Sequence, residues 1–192
     1  MNQPGPLLNR RQLIVGSSAT AAAVALGGCG GKDQPIVRPA GVPVGRFGKK
    51  STAEEVTAGI DLRGRTALIT GANSGLGYEA MRVLAMRGAH VLCAARTLEK
   101  AAAACAGIQG RTTPVAIELT DFPSIVVGTD AVRAMGMPID MLILNAGIMA
   151  LPELEQVNGL EKQFVTNHLG HFIVGNRLLA QVQAAAQGRV VV

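Results

Sequence analysis

The feature that most constrains the fold is a glycine-rich segment between a short β-type run and a helical pattern. Residues 65–70 have the apolar, β-branched character of a strand, and Gly71, Gly75 and Gly77 follow directly. Apolar residues then recur at helical spacing, at Leu76, Ala80, Val83 and Leu84. Such a segment is either a tight turn or a loop that binds a phosphate group at a helix N-terminus. In the second case Gly71 permits the turn, Gly75 admits the pyrophosphate, and Gly77 lets the helix pack on the strand.

Strand-like and helix-like segments alternate through the rest of the sequence. Strands are predicted at residues 90–94, 114–119, 139–144 and from 188, and helices at 76–88, 98–106, after Asp121, and at about 158–186. This alternation predicts an α/β fold, a Rossmann-like doubly wound parallel sheet of about five strands with helices on both faces. A ligand is then expected at the carboxyl ends of the strands, beside the first one. One face of the last helix is predicted to be apolar, through Leu160, Phe164, Leu169, Phe172 and Ile173.

The positive charge of the chain is confined to its beginning. The 192 residues carry a net charge of +5, but residues 1–50 hold seven basic residues and one acid, whereas residues 51–192 hold eleven basic and twelve acidic residues. A body of net charge −1 has no basic surface for a phosphate backbone, so nucleic acid is not expected as a partner. No uncharged apolar run after the first thirty residues is long enough to span a membrane.

Residues 1–30 are predicted to be an export signal. Arg10 and Arg11 form a pair that resembles a twin-arginine signal, a weakly apolar stretch follows, and Cys29 ends a segment similar to a bacterial lipobox. The alternative is a disordered basic tail with an accidental arginine pair. The first interpretation predicts a protein that is exported to the periplasm or is anchored to the membrane through lipidated Cys29. The second interpretation predicts a cytoplasmic protein. Residues 31–60, rich in Gly and Pro, are predicted to be a flexible linker before a nucleotide-binding domain at 61–192.

Three motifs together resemble the short-chain dehydrogenases/reductases. Thr70-Gly71-x-x-x-Gly75-x-Gly77 is similar to the cofactor loop of that family, whose contacts fall here on Gly71, Asn73, Ser74, Gly75, Leu76 and Gly77. Residues 144–147, Leu-Asn-Ala-Gly, resemble its Asn-Asn-Ala-Gly motif with the first Asn replaced. Residues 167–172, Asn-His-Leu-Gly-His-Phe, resemble the segment with its catalytic Asn, most of all in retinol-dehydrogenase-like members. The resemblance covers about residues 61–192 and implies an oxidoreductase acting on an alcohol or carbonyl substrate.

Arg96 favours NADP over NAD as the cofactor. An acidic residue after the second strand binds a ribose 2′-hydroxyl, whereas Arg96 stands there in this sequence and suits a 2′-phosphate. A solvated surface arginine, compatible with NAD, is the alternative. The resemblance also places Glu118 and Leu119 near the adenine, with Glu where the family usually has Asp.

The resemblance further implies roles for Asn145, Ala146 and Gly147 at the adenosine, and for Asn167 in holding a water of the proton relay. The family's catalytic Ser and Tyr-x-x-x-Lys have no counterpart in the 192 residues, since the single tyrosine, Tyr78, lies beside the glycine loop. Two hypotheses follow. The sequence is the front portion of an NADP-dependent oxidoreductase, which forms homo-oligomers at full length, or it is a truncated non-catalytic nucleotide-binding remnant. In either case the 192 residues alone are expected to be inactive.

No metal site is expected. His168 and His171 are three residues apart, but no Cys, Asp or Glu motif supplies further ligands, so packing and hydrogen bonding are their predicted roles. Cys93 and Cys105 lie in a predicted strand and an alanine-rich helix and are interpreted as small apolar residues.

Overall fold

The computed structural model describes residues 45–192. The predicted export signal, Cys29 and the first part of the predicted linker lie outside these residues. The described strands, in chain order, are β1 (Thr66–Thr70), β2 (His90–Ala95), β3 (Arg111–Ala116), β4 (Met141–Ile143), β5 (Gln156–Val157), β6 (Leu160–Glu161) and β7 (Arg189–Val191). The helices are α1 (Ala53–Val56), α2 (Gly75–Met86), α3 (Leu98–Ala106), α4 (Phe122–Ala134), α5 (Lys162–Phe164) and α6 (His171–Gln183), with a π-helical turn at Val165–Gly170.

Five strands form a parallel sheet in the order β3-β2-β1-β4-β7. The chain moves outward from β1 to β3 and then returns to the other side of β1, which creates a topological switch point between β1 and β4. In sheets of this kind a crevice forms at the carboxyl ends of the strands at that point. The predicted Rossmann-like, doubly wound α/β fold is confirmed.

The core has two layers because successive residues of a buried strand point to opposite faces. Leu68 of β1 belongs to the apolar cluster under α4 and α6, together with Ile125 and Leu178. Ala67 and Ile69 belong to the cluster under α2 and α3. All five residues of β1 and all six of β2 are buried, which explains their nearly continuous apolar sequence.

The predicted flexible linker at 31–60 is wrong for its last part, because α1 is formed there. Thr52 caps this helix through a reciprocal capping box: its side chain accepts a hydrogen bond from Glu55 N–H (3.2 Å), and the Glu55 carboxylate accepts one from Thr52 N–H (2.9 Å). Arg82 of α2 then forms an ion pair with Glu54 (2.5 Å). Local capping and one ion pair therefore order a segment whose composition suggests only a linker.

Several boundaries differ from the sequence-based prediction, and two of them have a clear physical reason. β3 begins at Arg111, not at Pro114, because β3 is an edge strand and an edge strand tolerates a residue without an N–H donor. The last helix does not begin at Asn158. Asn158 and Gly159 have φ of 53° and 77° and connect β5 to β6, and the Glu161 side chain caps α5. The predicted termination of α2 at Gly88 is confirmed to within two residues: the helix ends at Met86, Arg87 is its C-cap, and Gly88 follows with φ 98°.

The predicted apolar face of the last helix is wrong in part, although Ile173 does pack against the core. Phe164 and Phe172 are exposed, and the buried residues of the turn and α6 are instead Val165, Thr166, Gly170, His171, Val174, Leu178 and Val182. The π-helical turn contains more residues per turn than an α-helix, so a periodicity of 3.6 assigns the wrong residues to the buried side. Across residues 45–192, no helix has both the length and the apolar character needed to cross a bilayer.

Candidate functional site

A cavity of about 610 Å³ opens at the carboxyl ends of the strands, at the switch point between β1 and β4. Its walls come from the glycine loop after β1 and from the residues that follow β2, β3 and β4. The start of the helical segment after β6 closes it on one side through Lys162 and Thr166. The volume falls in the range of small-molecule and cofactor sites.

The loop after β1 is held in a sharp turn. Gly71 has φ 68°, a left-handed conformation that favours glycine, and its N–H donates to the Ala94 carbonyl of β2 (2.8 Å). Gly75 has φ 56°, and a Cβ there would meet no atom within 4 Å, so the backbone is open at this point. Gly77 is the packed member. A Cβ on it would collide with the Gly71 carbonyl oxygen and approach Asn145 Nδ2 to 2.6 Å.

The N-terminus of α2 is available to an anion. The first amides of a helix have no partner within the helix, and Ser74 at the N-cap makes no side-chain hydrogen bond to them. Ser74 and Leu76 both line the cavity, which explains why Leu76 is 84% exposed. The helix dipole adds a partial positive charge at this end of α2. The loop and the helix therefore fit a pyrophosphate group.

One cation and one carboxylate of the cavity wall follow β2 and β3. Arg96 is exposed directly after β2, and its guanidinium forms no ion pair with the residues that the structure describes. The Glu118 side chain, by contrast, is hydrogen-bonded. Its carboxylate accepts hydrogen bonds from the Thr120 N–H (3.1 Å) and hydroxyl (2.9 Å), and its own N–H donates to Ser124 Oγ (3.0 Å).

Two residues after β4 are bonded to the end of β1. Asn145 Nδ2 donates to the Thr70 carbonyl (3.0 Å), and the Ala146 N–H donates to the Thr70 hydroxyl oxygen (3.0 Å). Thr70, Asn145 and Ala146 all line the cavity. These bonds join the two strands on either side of the switch point where the cavity opens.

Asn167 lies in the π-helical turn and bonds the loop after β4. Its Oδ1 accepts from the Ile148 N–H (2.9 Å), and its Nδ2 donates to the Ile148 carbonyl (2.8 Å). Four residues earlier, Gln163 Oε1 accepts from the N–H of Ala150 (2.9 Å), a residue with φ 55°. Both side-chain polar atoms of Asn167 are thus satisfied by one backbone position, which gives this mid-helix asparagine the partner that it needs.

The cavity brings together ten of the thirteen predicted site residues: Gly71, Asn73, Ser74, Leu76, Arg96, Glu118, Leu119, Asn145, Ala146 and Gly147. Gly75, Gly77 and Asn167 are not among the lining residues: the backbone at Gly75 is open, Gly77 packs against Gly71 and Asn145, and Asn167 holds Ile148. Sequence reasoning missed the other lining residues, which are Thr70, Ala95, Ile117, Thr120, Ile148, Lys162 and Thr166. The positions after β3 and β4 could have been found, since residues that follow parallel strands share one edge. Lys162 and Thr166 carry no such signal.

The remaining candidates have ordinary surroundings. The His168 ring stacks on Phe164 with centroids 5.3 Å apart, and no group of three or more potential metal-ligating side chains occurs in the described part of the chain. Cys93 is buried in β2, and burial together with neighbouring Cys105 raises the pKa of its thiol to about 12. Tyr78 lies on α2.

Curated relatives share the sequence of this domain. The family described as short chain dehydrogenase matches residues 65–192. Short-chain dehydrogenase TIC 32 B, chloroplastic, of Brassica napus is 40% identical over 155 residues, which cover 76% of this chain and 48% of the relative. Human retinol dehydrogenase 13 is 36% identical over 133 residues, covering 67% of this chain and 40% of the relative. The chain therefore spans about half the length, or less, of these relatives.

Solved structures share the fold. A gluconate 5-dehydrogenase from Burkholderia cenocepacia in complex with NADP and tartrate aligns with a TM-score of 0.55 and 26% identity, covering 68% of this chain and 53% of that one. A 3-ketoacyl-(acyl-carrier-protein) reductase from Brucella melitensis, complexed with NADH, aligns with a TM-score of 0.56 and 25% identity, covering 64% and 52%. The sequence match, the parallel sheet and the loop after β1 agree, and the chain belongs to the short-chain dehydrogenase family.

Proposed function

We propose that this chain is the nucleotide-binding part of an NADP-dependent oxidoreductase that interconverts an alcohol and a carbonyl compound. Family membership supports oxidoreductase chemistry, and the cavity at the switch point supports a dinucleotide ligand. Among the neighbouring structures some contain NADP and one contains NADH, so the choice between the two cofactors rests on the residues of this chain.

The residues of the cavity divide the binding task among them. The amides at the N-terminus of α2 and the open backbone at Gly75 receive the pyrophosphate. Glu118 and Leu119 lie after β3 at the proposed adenine end, and Asn145 and Ala146 hold the wall after β4 against Thr70. Asn167 keeps Ile148 in place behind that wall. The bound cofactor supplies hydride transfer, and the protein supplies its binding and orientation.

Arg96 is the observation that carries the preference for NADP. It stands at the carboxyl end of β2, lines the cavity, and has no acidic partner among the described residues. A guanidinium without an acidic partner can bind a phosphate group through two parallel N–H donors. An acidic side chain at the same position would repel the phosphate.

Replacement of Arg96 tests this preference directly. We expect the 192-residue chain to bind NADPH at least about tenfold more tightly than NADH, a difference of about 1.4 kcal/mol. Arg96→Asp should remove most of that ratio, measured by isothermal titration calorimetry with each nucleotide. Arg111→Asp is the matched control, since Arg111 is an exposed arginine at the amino end of β3. An unchanged NADPH/NADH ratio in Arg96→Asp would remove Arg96 from the site.

The expected outcome for the 192 residues is nucleotide binding without turnover. Their single tyrosine, Tyr78, lies on α2 next to α3, where a Cβ added to Gly107 would come within 2.8 Å of its hydroxyl. Tyr78 packs against the core cluster under α2 and α3 and does not line the cavity. NADPH oxidation followed at 340 nm with a panel of aldehydes and ketones tests the expectation, and steady turnover would contradict it.

We also propose export through the arginine pair and anchoring through Cys29. The support is the order of features in residues 1–30: Arg10 and Arg11, an apolar stretch, and a cysteine after small residues. Fractionation of a bacterial host is expected to place the chain in the periplasm or the membrane. Replacing both arginines by lysine should retain it in the cytoplasm, and Cys29→Ala should release it from the membrane. A wholly cytoplasmic wild-type chain would refute both.

A further inference from the structure

A buried histidine connects the nucleotide cavity to the turn that contains Asn167. His171 begins α6 and is 4% exposed. Its Nε2 lies 2.9 Å from the hydroxyl of Thr70, 101 residues earlier in the chain. Its Nδ1 lies 3.1 Å from the backbone carbonyl oxygen of Asn167. The proposed function assigns no role to this ring.

The hydrogen-bond partners determine which ring nitrogen carries the proton. A backbone carbonyl only accepts, so Nδ1 of His171 must be the donor toward Asn167. In the neutral ring Nε2 is then an acceptor, and the Thr70 hydroxyl donates to it. The Thr70 oxygen remains free to accept from the Ala146 N–H at 3.0 Å. Every polar group in this series is satisfied in one arrangement, with a neutral imidazole.

Burial favours the same protonation state. It lowers the pKa of His171 below its ordinary value of 6.5, with the hydrogen bond to Asn167 as a smaller opposing effect. A second proton, on Nε2, would reverse this hydrogen bond: Nε2–H would donate to the Thr70 oxygen, and the Thr70 hydroxyl proton would have to turn toward another acceptor. The cavity wall at Ala146 is thus connected to a group whose donor and acceptor sides are determined.

The histidine is one of three polar residues at intervals of four along this helical segment. Gln163 holds Ala150, Asn167 holds Ile148, and His171 extends the series to Thr70. Of the three, His171 is the one bonded to β1, whose carboxyl end forms the cavity. It therefore connects the nucleotide side of the wall to the backbone of the π-helical turn.

We propose that His171 is a positioning residue, whose neutral imidazole orients the Thr70 hydroxyl at the nucleotide cavity and the Asn167 carbonyl in the π-helical turn. This inference rests on the proposed function, because its first consequence is for NADP binding. The alternative is that His171 contributes only packing volume. In that case the orientations of the Thr70 hydroxyl and the Asn167 carbonyl would not depend on its ring nitrogens.

Two substitutions separate the two bonds of the ring. Asparagine places an N–H donor near the position of Nδ1, so His171→Asn retains a donor toward Asn167 and loses the acceptor for Thr70. Glutamine reaches the position of Nε2, so His171→Gln retains an acceptor for Thr70 and loses the donor toward Asn167. His168→Gln, on the exposed ring that stacks on Phe164, is the matched control.

Calorimetry with NADPH gives the first readout. We expect the dissociation constant to rise about tenfold in His171→Asn and to change less than about threefold in His171→Gln and in the control. The backbone carbonyl ¹³C shift of Asn167 is expected to change in the opposite order, more in His171→Gln than in His171→Asn. Equal dissociation constants for all four proteins would overturn the proposal. Equal losses in both His171 variants would also overturn it, since volume alone would then explain them.

A measurement on wild-type His171 keeps the proposal testable if a variant does not fold or if NADPH does not bind. Ring ¹⁵N spectra are expected to show Nδ1 protonated and Nε2 unprotonated. Thr70→Ala should shift the Nε2 resonance, and Thr70→Ser should restore it. An Nε2-protonated ring, or an Nε2 shift insensitive to Thr70→Ala, would overturn the proposal. Failure of NADPH to bind the wild-type chain, with these spectra as expected, would refute the proposed cofactor and leave the orientation of Thr70 and Asn167 supported.

Discussion

At the scale of single residues, His90 carries a pH dependence that follows from its surroundings. It begins β2 and is 7% exposed; its Nε2 is bonded to Thr113 Oγ1 (2.8 Å), and its Nδ1 has no hydrogen-bond partner within residues 45–192. Burial first, and the nearby Arg111 second, lower its pKa from 6.5. The unfolded chain therefore binds more protons than the folded one as the pH falls below about 6.5, so acidification reduces the free energy of unfolding.

We expect His90→Gln to make thermal stability less sensitive to acid. The non-titrating side chain removes one proton uptake that accompanies unfolding, so the fall in Tm between about pH 7.5 and 5.5 should be smaller than in the wild type. Thermal unfolding followed by circular dichroism at several pH values measures this. His168→Gln serves as the exposed comparison. Parallel Tm curves for wild type and His90→Gln would show that His90 does not titrate on unfolding in this range.

Individual residues could be placed from sequence where their position depends on neighbours that are close in the chain. Gly71, Gly75 and Gly77 could be placed because a strand, a turn and a helix follow one another within a few positions. Gly77 acts differently from the expected helix-to-strand packing, because its close neighbours are the Gly71 carbonyl and Asn145. The partners of His171 could not be predicted, since Thr70 lies 101 residues away and only the folded sheet brings it near.

At the scale of elements, the π-helical turn is packed directly against the segment after β3. A Cβ on Gly170 would lie 2.5 Å from the Leu119 carbonyl oxygen and 2.8 Å from Leu119 Cβ. The backbone and Cβ of Leu119 could not move away from a side chain at position 170 without moving the cavity wall, because Leu119 is part of that wall. The close approach of the π-helical turn to Leu119 thus depends on the absence of a side chain at Gly170.

Two glycines of the same helical segment should respond in opposite directions to alanine. Gly170→Ala is expected to reduce the free energy of unfolding by about 1–3 kcal/mol through overpacking. Gly175 lies inside α6, where a Cβ would meet nothing within 4 Å, so Gly175→Ala should add about 0.5–1 kcal/mol through helix propensity. Urea unfolding of both variants beside the wild type gives the two values. Destabilisation by Gly175→Ala, or none by Gly170→Ala, would contradict the packing described here.

The elements most accurately predicted were those specified by their own residues. β1, β2 and α3 have an apolar run or a high helix propensity bounded by clear caps, and Thr97 N-caps α3 by accepting from the Lys100 N–H (3.3 Å). The β5–β6 hairpin was missed although Asn158-Gly159 is a strong local signal for such a turn, because helical spacing was extended across it. The π-helical turn depends on a tertiary contact, Gly170 against Leu119, and has no comparable local signal.

At the scale of the whole molecule, burial decreases from the centre of the sheet to its edges. β1 and β2 are buried throughout, β4 is partly buried, and all three residues of β7 are exposed. At the opposite edge, β3 begins exposed at Arg111. The doubly wound parallel architecture could be predicted from sequence because strands covered on both faces are continuously apolar. The decrease in burial toward the edges of the sheet could not be predicted, since it depends on which strands become neighbours.

Native-state hydrogen exchange of the 192-residue chain is expected to reproduce this gradient. Amides of β1 and β2 should exchange most slowly, close to the rate set by global unfolding, and those of β7 most rapidly among the five strands, since local opening there exposes little apolar surface. Added NADPH should slow exchange in residues 70–77 and 145–148 more than in β7, because the ligand contacts the cavity at the switch point and stabilises the folded state by linkage. Mass spectrometry of peptic peptides, with and without NADPH, resolves these segments. Faster exchange in β1 than in β7 would contradict the burial pattern, and equal slowing of all segments by NADPH would argue against a ligand located at the ends of β1 and β4.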